Sequence, residues 1–516
     1  MTCDTGDESA QAAYTRFIES IPPKFKPLAF ELDKKQAELS ERYPLGARYE
    51  VLTRDTSADV ELFREDNVPI QTELAKLSQR YDQVMGKLTV RFEGQEKTLP
   101  QMGVYFESTD RAKRESAWRA VQARRLEERD TIDGIYDEMI KERHRMAQNA
   151  GFETFTGYAF KSKHRFDYTP EHCVAFHEAC EKVIVPLLRR LDAERKEALG
   201  LDALRPWDLA VDPKGRAPLT PFKDGADLVR KSQVAFERLD GRLATMFAEL
   251  GDGANTDGAR TGALLDLDSR KGKAPGGYQY MRDRSREPFI FMNAAGLHRD
   301  LETMVHEAGH AFHSMVCVDE PLLHYRHSPI EFAEVASMTM ELLTMPHWGG
   351  ADGFYPDEGD LARAQRKQME GSVTLLPWIA TIDALQHWIY ANPNHTREER
   401  TAHWLELDER FGHAVSWNGL EAEREAMWQR QGHLFGVPFY YIEYGIAQLG
   451  ALGLWLKSIE EGPSPAVEAY LRSLKLGGSR PLPELFAAAD LPFDFGPETV
   501  KRLADRVEGE LAKLPS

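Results

Sequence analysis

Cysteine is scarce in this chain, with four residues in 516, at positions 3, 173, 180 and 317. So few thiols over such a length exclude a disulfide framework and point to a reducing compartment. Long apolar runs are missing too. No stretch reaches the ~18 uncharged apolar residues that a bilayer-spanning helix requires, so no transmembrane segment is expected. The N-terminus, MTCDTGDESAQAAYTRF, has neither a basic n-region nor a long apolar h-region. No signal peptide is therefore expected, and the expected location is cytoplasmic. Positive charge is in deficit: 65 Lys and Arg against 83 Asp and Glu leave a formal net charge of −18. Such a surface repels phosphate backbones, so neither nucleic acid nor a membrane is expected as a partner. Fixed-period repeats and long low-complexity tracts are absent, and strand signals are few.

What remains is helical pattern. Thr109 to Gln148 carries apolar residues at three- and four-residue spacing, among them Trp118, Val121, Leu126, Ile132, Ile135 and Ile140. Pro170 to Leu199 repeats the pattern and is stopped by Gly200, and Thr220 to Leu250 forms a third helical zone. Leu88 to Phe92, followed by EGQE and KTLPQM, predicts a small hairpin, and Arg286 to Asn293 a single short strand. Two breaks interrupt the chain: a linker-like run from Leu204 to Pro221, and a loop region from Gly251 to Gly277 with one short apolar insert. With 42% hydrophobic residues, the chain can bury one large core or two moderate ones.

The strongest chemical signal is His306-Glu307-Ala308-Gly309-His310. It lies in an amphipathic helix predicted from about Arg299 to Cys317, whose apolar stripe is Leu301, Met304, Val305, Ala308, Ala311, Phe312 and Met315. Residues i and i+4 stack on one helix face, so both imidazoles can reach one ion at about 2.0–2.1 Å. Glu307 points beside them, toward a water rather than the ion. Gly309 costs about 1 kcal/mol inside a helix, which predicts close approach of another backbone there. A third protein ligand is needed. His313 is unsuitable, because at 1.5 Å rise it lies about 10.5 Å along the axis from His306. Glu334 is the better choice. Its helix is predicted to start at Ser328, with Ser328 and Glu331 as a capping box and Pro329 at the first helical position. Glu341, seven residues further on the same face, is a candidate to hydrogen-bond a ligand imidazole.

The run GGYQYMRDRSREPFIFMNAAGLHRDLETMVHEAGHAFHSM, with EFAEVASMTMELL after it, resembles the oligoendopeptidase F branch of the thimet oligopeptidase-like zinc peptidases. That family carries H-E-x-G-H and then a ligand Glu in an E-x-x-S context, here Glu334 with Ser337. HLFGVPFYYIEYGIAQLGA, from His433, resembles its His- and Tyr-rich substrate loop. The resemblance implies a mainly α, two-lobed metallopeptidase with a deep central channel and a small β element near the active site. Residues 1–203 would form an N-terminal lobe on the lid side, and 204–516 a catalytic lobe. One zinc ion per chain would sit on His306, His310 and Glu334, with Glu307 as general base. Tyr444 and Tyr440, then His433, would stabilise the oxyanion, on a loop hinged at Gly436. Tyr441, Gly276, Gly277, Tyr278, Phe289 and Phe291 would contact substrate, with Phe289 to Asn293 as an edge strand pairing with the peptide main chain.

The implied function is a zinc-dependent endopeptidase that hydrolyses short unfolded oligopeptides, as a monomer or homodimer. Two alternatives stand beside it: a helical zinc metallocarboxypeptidase, and a non-catalytic helical peptide-binding protein. A peptide blocked at both ends separates the first, and metal analysis with activity before and after chelation separates the second. Elsewhere, Cys173, His177 and Cys180 share a predicted helix at i, i+4 and i+7. Two buried thiols beside a polar neighbour explain that spacing better than a second metal does.

Overall fold

The structure is a computed structural model and describes residues 2–4, 6–253, 262–270, 272–274 and 276–515. Helices dominate it, and their limits follow local chemistry. The Thr109–Gln148 zone resolves into Arg111–Leu126 and Arg129–Asn149, and the Asp110 carboxylate caps the first by accepting from the Ala112 and Lys113 amides. Pro170–Leu199 becomes Pro170–Ala179 and Val185–Ala198 joined by a single π turn, Cys180–Ile184, and Gly200 closes it at φ +64°. The Thr220–Leu250 zone is cut at Asp240, whose carboxylate accepts from the Arg242 amide and starts a new helix, Gly241–Ala248.

The expected hairpin is present. β1 (Thr89–Phe92) pairs antiparallel with β2 (Gln95–Thr98) across Glu93 and Gly94, both at positive φ. The second strand is shorter than KTLPQM suggested, because Thr98 and Gln101 form a reciprocal capping box and the chain turns helical at Leu99.

The run Arg286–Asn293 corresponds to β5 (Glu287–Ala294), and here the structure corrects the sequence reading. It is neither a lone strand nor an edge. β3 (Leu265–Asp268) runs parallel to it on one side and β4 (Tyr278–Arg282) antiparallel on the other, giving the order β3-β5-β4. β3 grows from the apolar insert of the Gly251–Gly277 region. Residues 254–261, 271 and 275 of that region lie outside those described. Most of β5 is buried, as a centrally placed strand requires.

The chain divides into two compact units: Met1–Gly6 with Leu219–Leu376 and Glu443–Ser516, and Asp7–Pro218 with Pro377–Ile442. The single cut at 203/204 is thereby corrected. The first crossing beyond the N-terminus falls inside the linker-like run, and residues 377–442 return to the unit of the N-terminal helices. Two helices, Glu358–Ala391 and Tyr441–Glu461, carry the chain from one unit to the other. None of the four cysteines forms a disulfide. No helix among the described residues is long and apolar enough to cross a membrane.

In the first unit, the motif helix (His298–Val316) packs on β5 and on the glutamate helix (Ile330–Thr344). Its stripe of Leu301, Met304, Val305, Ala308, Ala311 and Phe312 is fully buried. Burying an aliphatic or aromatic side chain contributes about 1.5–3 kcal/mol, so this stripe fixes the rotation of the helix and the direction of its polar face. The connection between the two helices is backed by Gly477 and Gly478. A β-carbon on Gly477 would stand 1.9 Å from the Tyr325 carbonyl oxygen, and one on Gly478 2.3 Å from that of His327. The Gly478 amide donates to the Tyr325 carbonyl at 3.0 Å, and the Cys317 thiol to that of Leu474 at 3.2 Å.

Candidate metal centre

The motif helix and the glutamate helix cross where neither has room for a side chain. A β-carbon on Gly309 would lie 2.4 Å from the Ala336 carbonyl oxygen and 2.6 Å from Ser337 Cα. This is the backbone approach the helical glycine predicted. It brings Glu334 under the two imidazoles. His306 Nε2 is 3.4 Å and His310 Nε2 3.6 Å from Glu334 Oε2. One donor atom from each of the three residues lies within 4.8 Å of the other two. The rings are nearly perpendicular, at 82°.

The partners orient these groups. His306 Nδ1 is 2.7 Å from Glu341 Oε1, so the imidazole donates there, and Gln368 Nε2 donates to Glu341 Oε2 at 3.1 Å. Glu341 thus bonds the imidazole of one candidate ligand, and Gln368 is a further partner with no signal in the sequence. The Ser337 hydroxyl donates to Glu334 Oε2 at 3.0 Å, which gives the E-x-x-S spacing a physical reason. The capping box at Ser328 is not formed. Pro329 takes the cap position of Ile330–Thr344, with no side-chain bond, and Glu334 sits little more than one turn inside. Ser328 Oγ is instead 2.9 Å from His313 Nε2.

These donors fit a divalent ion. With Nδ1–H of His306 given to Glu341, Nε2 faces a carboxylate oxygen, so a positive charge must stand between them, carried either by a second ring proton or by a cation in its place. A divalent ion would take the place of that proton. Ligands about 2.0–2.1 Å from a tetrahedral ion stand about 3.3–3.4 Å apart, close to the two separations seen. Electrostatics agree in direction. Burial works to lower the His306 imidazole, but Glu334 and Glu341 outweigh it and hold the group well above its usual range. Burial likewise pushes Glu334 up, and His310 and His306 overcome it, holding that carboxylate well below.

Glu307 is 5% exposed. Burial raises its carboxyl above the ordinary range, against the opposing pull of His306 and His310, and the Gln279 backbone amide donates to it. Among the described residues its Oε2 has no hydrogen-bond partner. A buried carboxylate oxygen left bare costs about 1–3 kcal/mol or more, so it calls for a donor that the fold itself does not supply.

The glycines expected near substrate are close to this base. A β-carbon on Gly277 would meet Thr303 Cγ2 at 2.9 Å and Glu307 Oε1 at 3.4 Å. Gly276 has φ +97°, and its carbonyl accepts from Asn293 Nδ2 at 3.0 Å. Tyr278 stacks on Phe291 with ring centroids 4.8 Å apart, and its hydroxyl is 2.8 Å from Thr2 Oγ1. Phe289 and Phe291 are buried on the central strand, which corrects their assignment as contacts on an edge. β4 supplies the outer edge instead, and its Gln279 amide and side chain face Glu307 and Ser314 of the motif helix. Lys273, buried and bonded to Asp266 Oδ1 and the Met292 carbonyl, holds the neighbouring loop and was not singled out from sequence.

The structure gathers His433, Tyr440 and Tyr441 in the second unit, with His433 5.4 Å and 5.2 Å from the two tyrosine rings. Tyr441 is buried, which raises its hydroxyl to about 12, and it bonds Trp378 and Gln431. Tyr444 belongs to the first unit. Phe439 in the same loop adopts φ +61°, its amide donates to Gln386 at 2.7 Å and Arg165 donates to its carbonyl.

A mainly helical chain with this donor set has the form of the H-E-x-x-H metallopeptidases. It belongs to peptidase family M3, whose sequence profile matches residues 104–494. Oligopeptidase PepF of Bacillus subtilis is 26% identical over 308 residues, which take in 57% of this chain and 42% of that protein. An oligoendopeptidase F homolog of Borreliella burgdorferi is 25% identical over 57% of this chain and 48% of its own. The matched region thus spans less than half the length of these two relatives. Among solved structures, PZ peptidase A with inhibitor 2 superposes with a TM-score of 0.90 at 29% identity, over 99% of this chain and 88% of that one.

Proposed function

We propose that this chain is a zinc-dependent endopeptidase acting on short unfolded peptides. The observation that carries the reading is the convergence of His306, His310 and Glu334 beside the bare Glu307 Oε2. His306, His310 and Glu334 would hold the ion, which supplies Lewis acidity by polarising a carbonyl oxygen and acidifying water. Glu307 Oε2 accepts the proton of the attacking water and returns it to the leaving amine, a role to which its raised, burial-dominated carboxyl is suited. Glu341 fixes the tautomer of His306 through the 2.7 Å bond. The outer edge of β4 pairs with the peptide main chain and Gly277 leaves room above Glu307, a mode that reads backbone rather than side chains. Tyr444, Tyr440 and His433 are proposed to stabilise the oxyanion on the strength of the family resemblance. A reducing, cytoplasmic location is proposed on the absence of disulfides.

The test is hydrolysis of an internally quenched peptide blocked at both ends. Chelation should abolish it and zinc restore it. Glu307→Gln should lower kcat by about 10²–10⁴-fold while keeping one metal ion on His306, His310 and Glu334. Normal turnover by that variant refutes the assignment, and trimming of free C-termini alone would favour a carboxypeptidase.

A further inference from the structure

The second unit carries a cluster that none of this chemistry uses. Two helices meet there, each offering a pair of residues four apart: Cys173 and His177 from Pro170–Ala179, Asp383 and His387 from Glu358–Ala391. That spacing stacks each pair on one helix face. Asp383 is fully buried. Its Oδ2 accepts from His177 Nε2 at 2.8 Å and lies 3.3 Å from His387 Nε2, out of line for a hydrogen bond. Among the described residues neither its Oδ1 nor His387 Nε2 has a hydrogen-bond partner, although His387 Nε2 remains in ion-pair range of Oδ2. The buried Cys173 thiol lies 3.6 Å from the Thr169 carbonyl. One donor atom from each of Cys173, Asp383 and His387 falls within 4.8 Å of the other two.

We propose that Cys173, Asp383 and His387 bind a second divalent ion of the zinc type, with His177 orienting Asp383 from outside. A thiolate, a carboxylate and a dipositive ion sum to zero charge, which suits a buried site. Sulfur and imidazole donors favour zinc over magnesium or calcium. The ion would give His387 Nε2 and an Asp383 carboxylate oxygen a common partner and replace the thiol proton. The wall is apolar: Phe439 and Phe160 pack on the His387 ring at 5.1 Å and 6.1 Å. The His387 side chain is 16% exposed. The ion would staple the two helices and steady Gln386, which holds the Phe439 amide. Cys180, the other thiol of this helical stretch, is not in the set, because the donor that joins Cys173 comes from the facing helix.

The proposal is independent of the peptidase reading, and Co²⁺ separates the two, because only a thiolate ligand gives cobalt an intense near-ultraviolet charge-transfer band. Metal-free full-length protein is titrated with Co²⁺ and its bound metal counted. Wild type should bind two equivalents and develop the band. Glu334→Gln should bind one and keep the band. Cys173→Ser and Asp383→Asn should bind one and lose it, and Cys180→Ser should keep it. Absence of the band in wild type, or its survival in Cys173→Ser, overturns the proposal and leaves a hydrogen-bonded His-Asp-His network. If Cys173→Ser does not fold, wild type and Glu334→Gln still decide. A band with one equivalent in both of those proteins supports this site and refutes the other.

Discussion

Gly309 sets the spacing of the candidate centre, because the Ala336 carbonyl oxygen occupies the place its β-carbon would take. Both atoms belong to helices and cannot yield separately. Gly309→Ala should therefore destabilise the protein by about 1–3 kcal/mol and lower metal affinity at least tenfold, read by thermal unfolding and metal titration. Equal metal affinity in variant and wild type would show that the crossing has slack. His313 offers a second test. Burial dominates its surroundings and lowers its imidazole to about 3, so the folded protein holds it neutral. The unfolded chain takes up that proton below about pH 6.5, and stability contributed by the neutral ring is lost as pH falls from there toward 3. In His313→Gln the loss of unfolding free energy between pH 7 and pH 4 should be smaller by a few kcal/mol, on the order set by linkage. Identical pH profiles would rule this out.

Between elements, the glutamate helix fixes the His306 imidazole from behind through Glu341. Glu341→Gln keeps the shape but weakens the acceptor for His306 and should cost about 10–100-fold in metal affinity. Unchanged affinity would mean that Glu341 merely fills space. The grouping of His306, Glu307, Gly309 and His310 was legible in the sequence because it is local to one helix, and the approach of Glu334 became legible once a second helix was placed. The cap of that helix was misread because Ser328 has two possible partners, and the winner, His313, lies 15 residues back. Gln368, on a third helix, left no local signal. β3 and β4 were missed for a related reason. Strand pairing joins Leu265 to Ile290 and Gln279 to Ile290, and neither short segment carries a periodicity of its own. Misplacing β5 at an edge followed directly, since a strand is central only by virtue of its neighbours.

For the molecule as a whole, the helical class was legible from composition and period, and the division of the chain was not. The helix Glu358–Ala391 runs on through the crossing at Leu376 and Pro377, and although Pro377 stands at that boundary, a lone proline does not announce that residues 377–442 rejoin the N-terminal helices. The cluster of Cys173, Asp383 and His387 was hidden for the same reason, Cys173 being more than 200 positions from the other two and brought to them only by that return.

The backing of the inter-helix connection by Gly477 and Gly478 bears on the order of assembly. All metal donors of the first centre have been synthesised by residue 334, yet the floor beneath their connecting loop is added more than 140 residues later. A nascent chain halted at Gly462 would hold every ligand and lack the surface that fixes their angle. Such a fragment should bind zinc far more weakly than the finished chain and unfold without a sharp transition, as calorimetry and metal titration would register. Emergence of Gly477 and Gly478, rather than synthesis of the motif, would then mark the birth of the site.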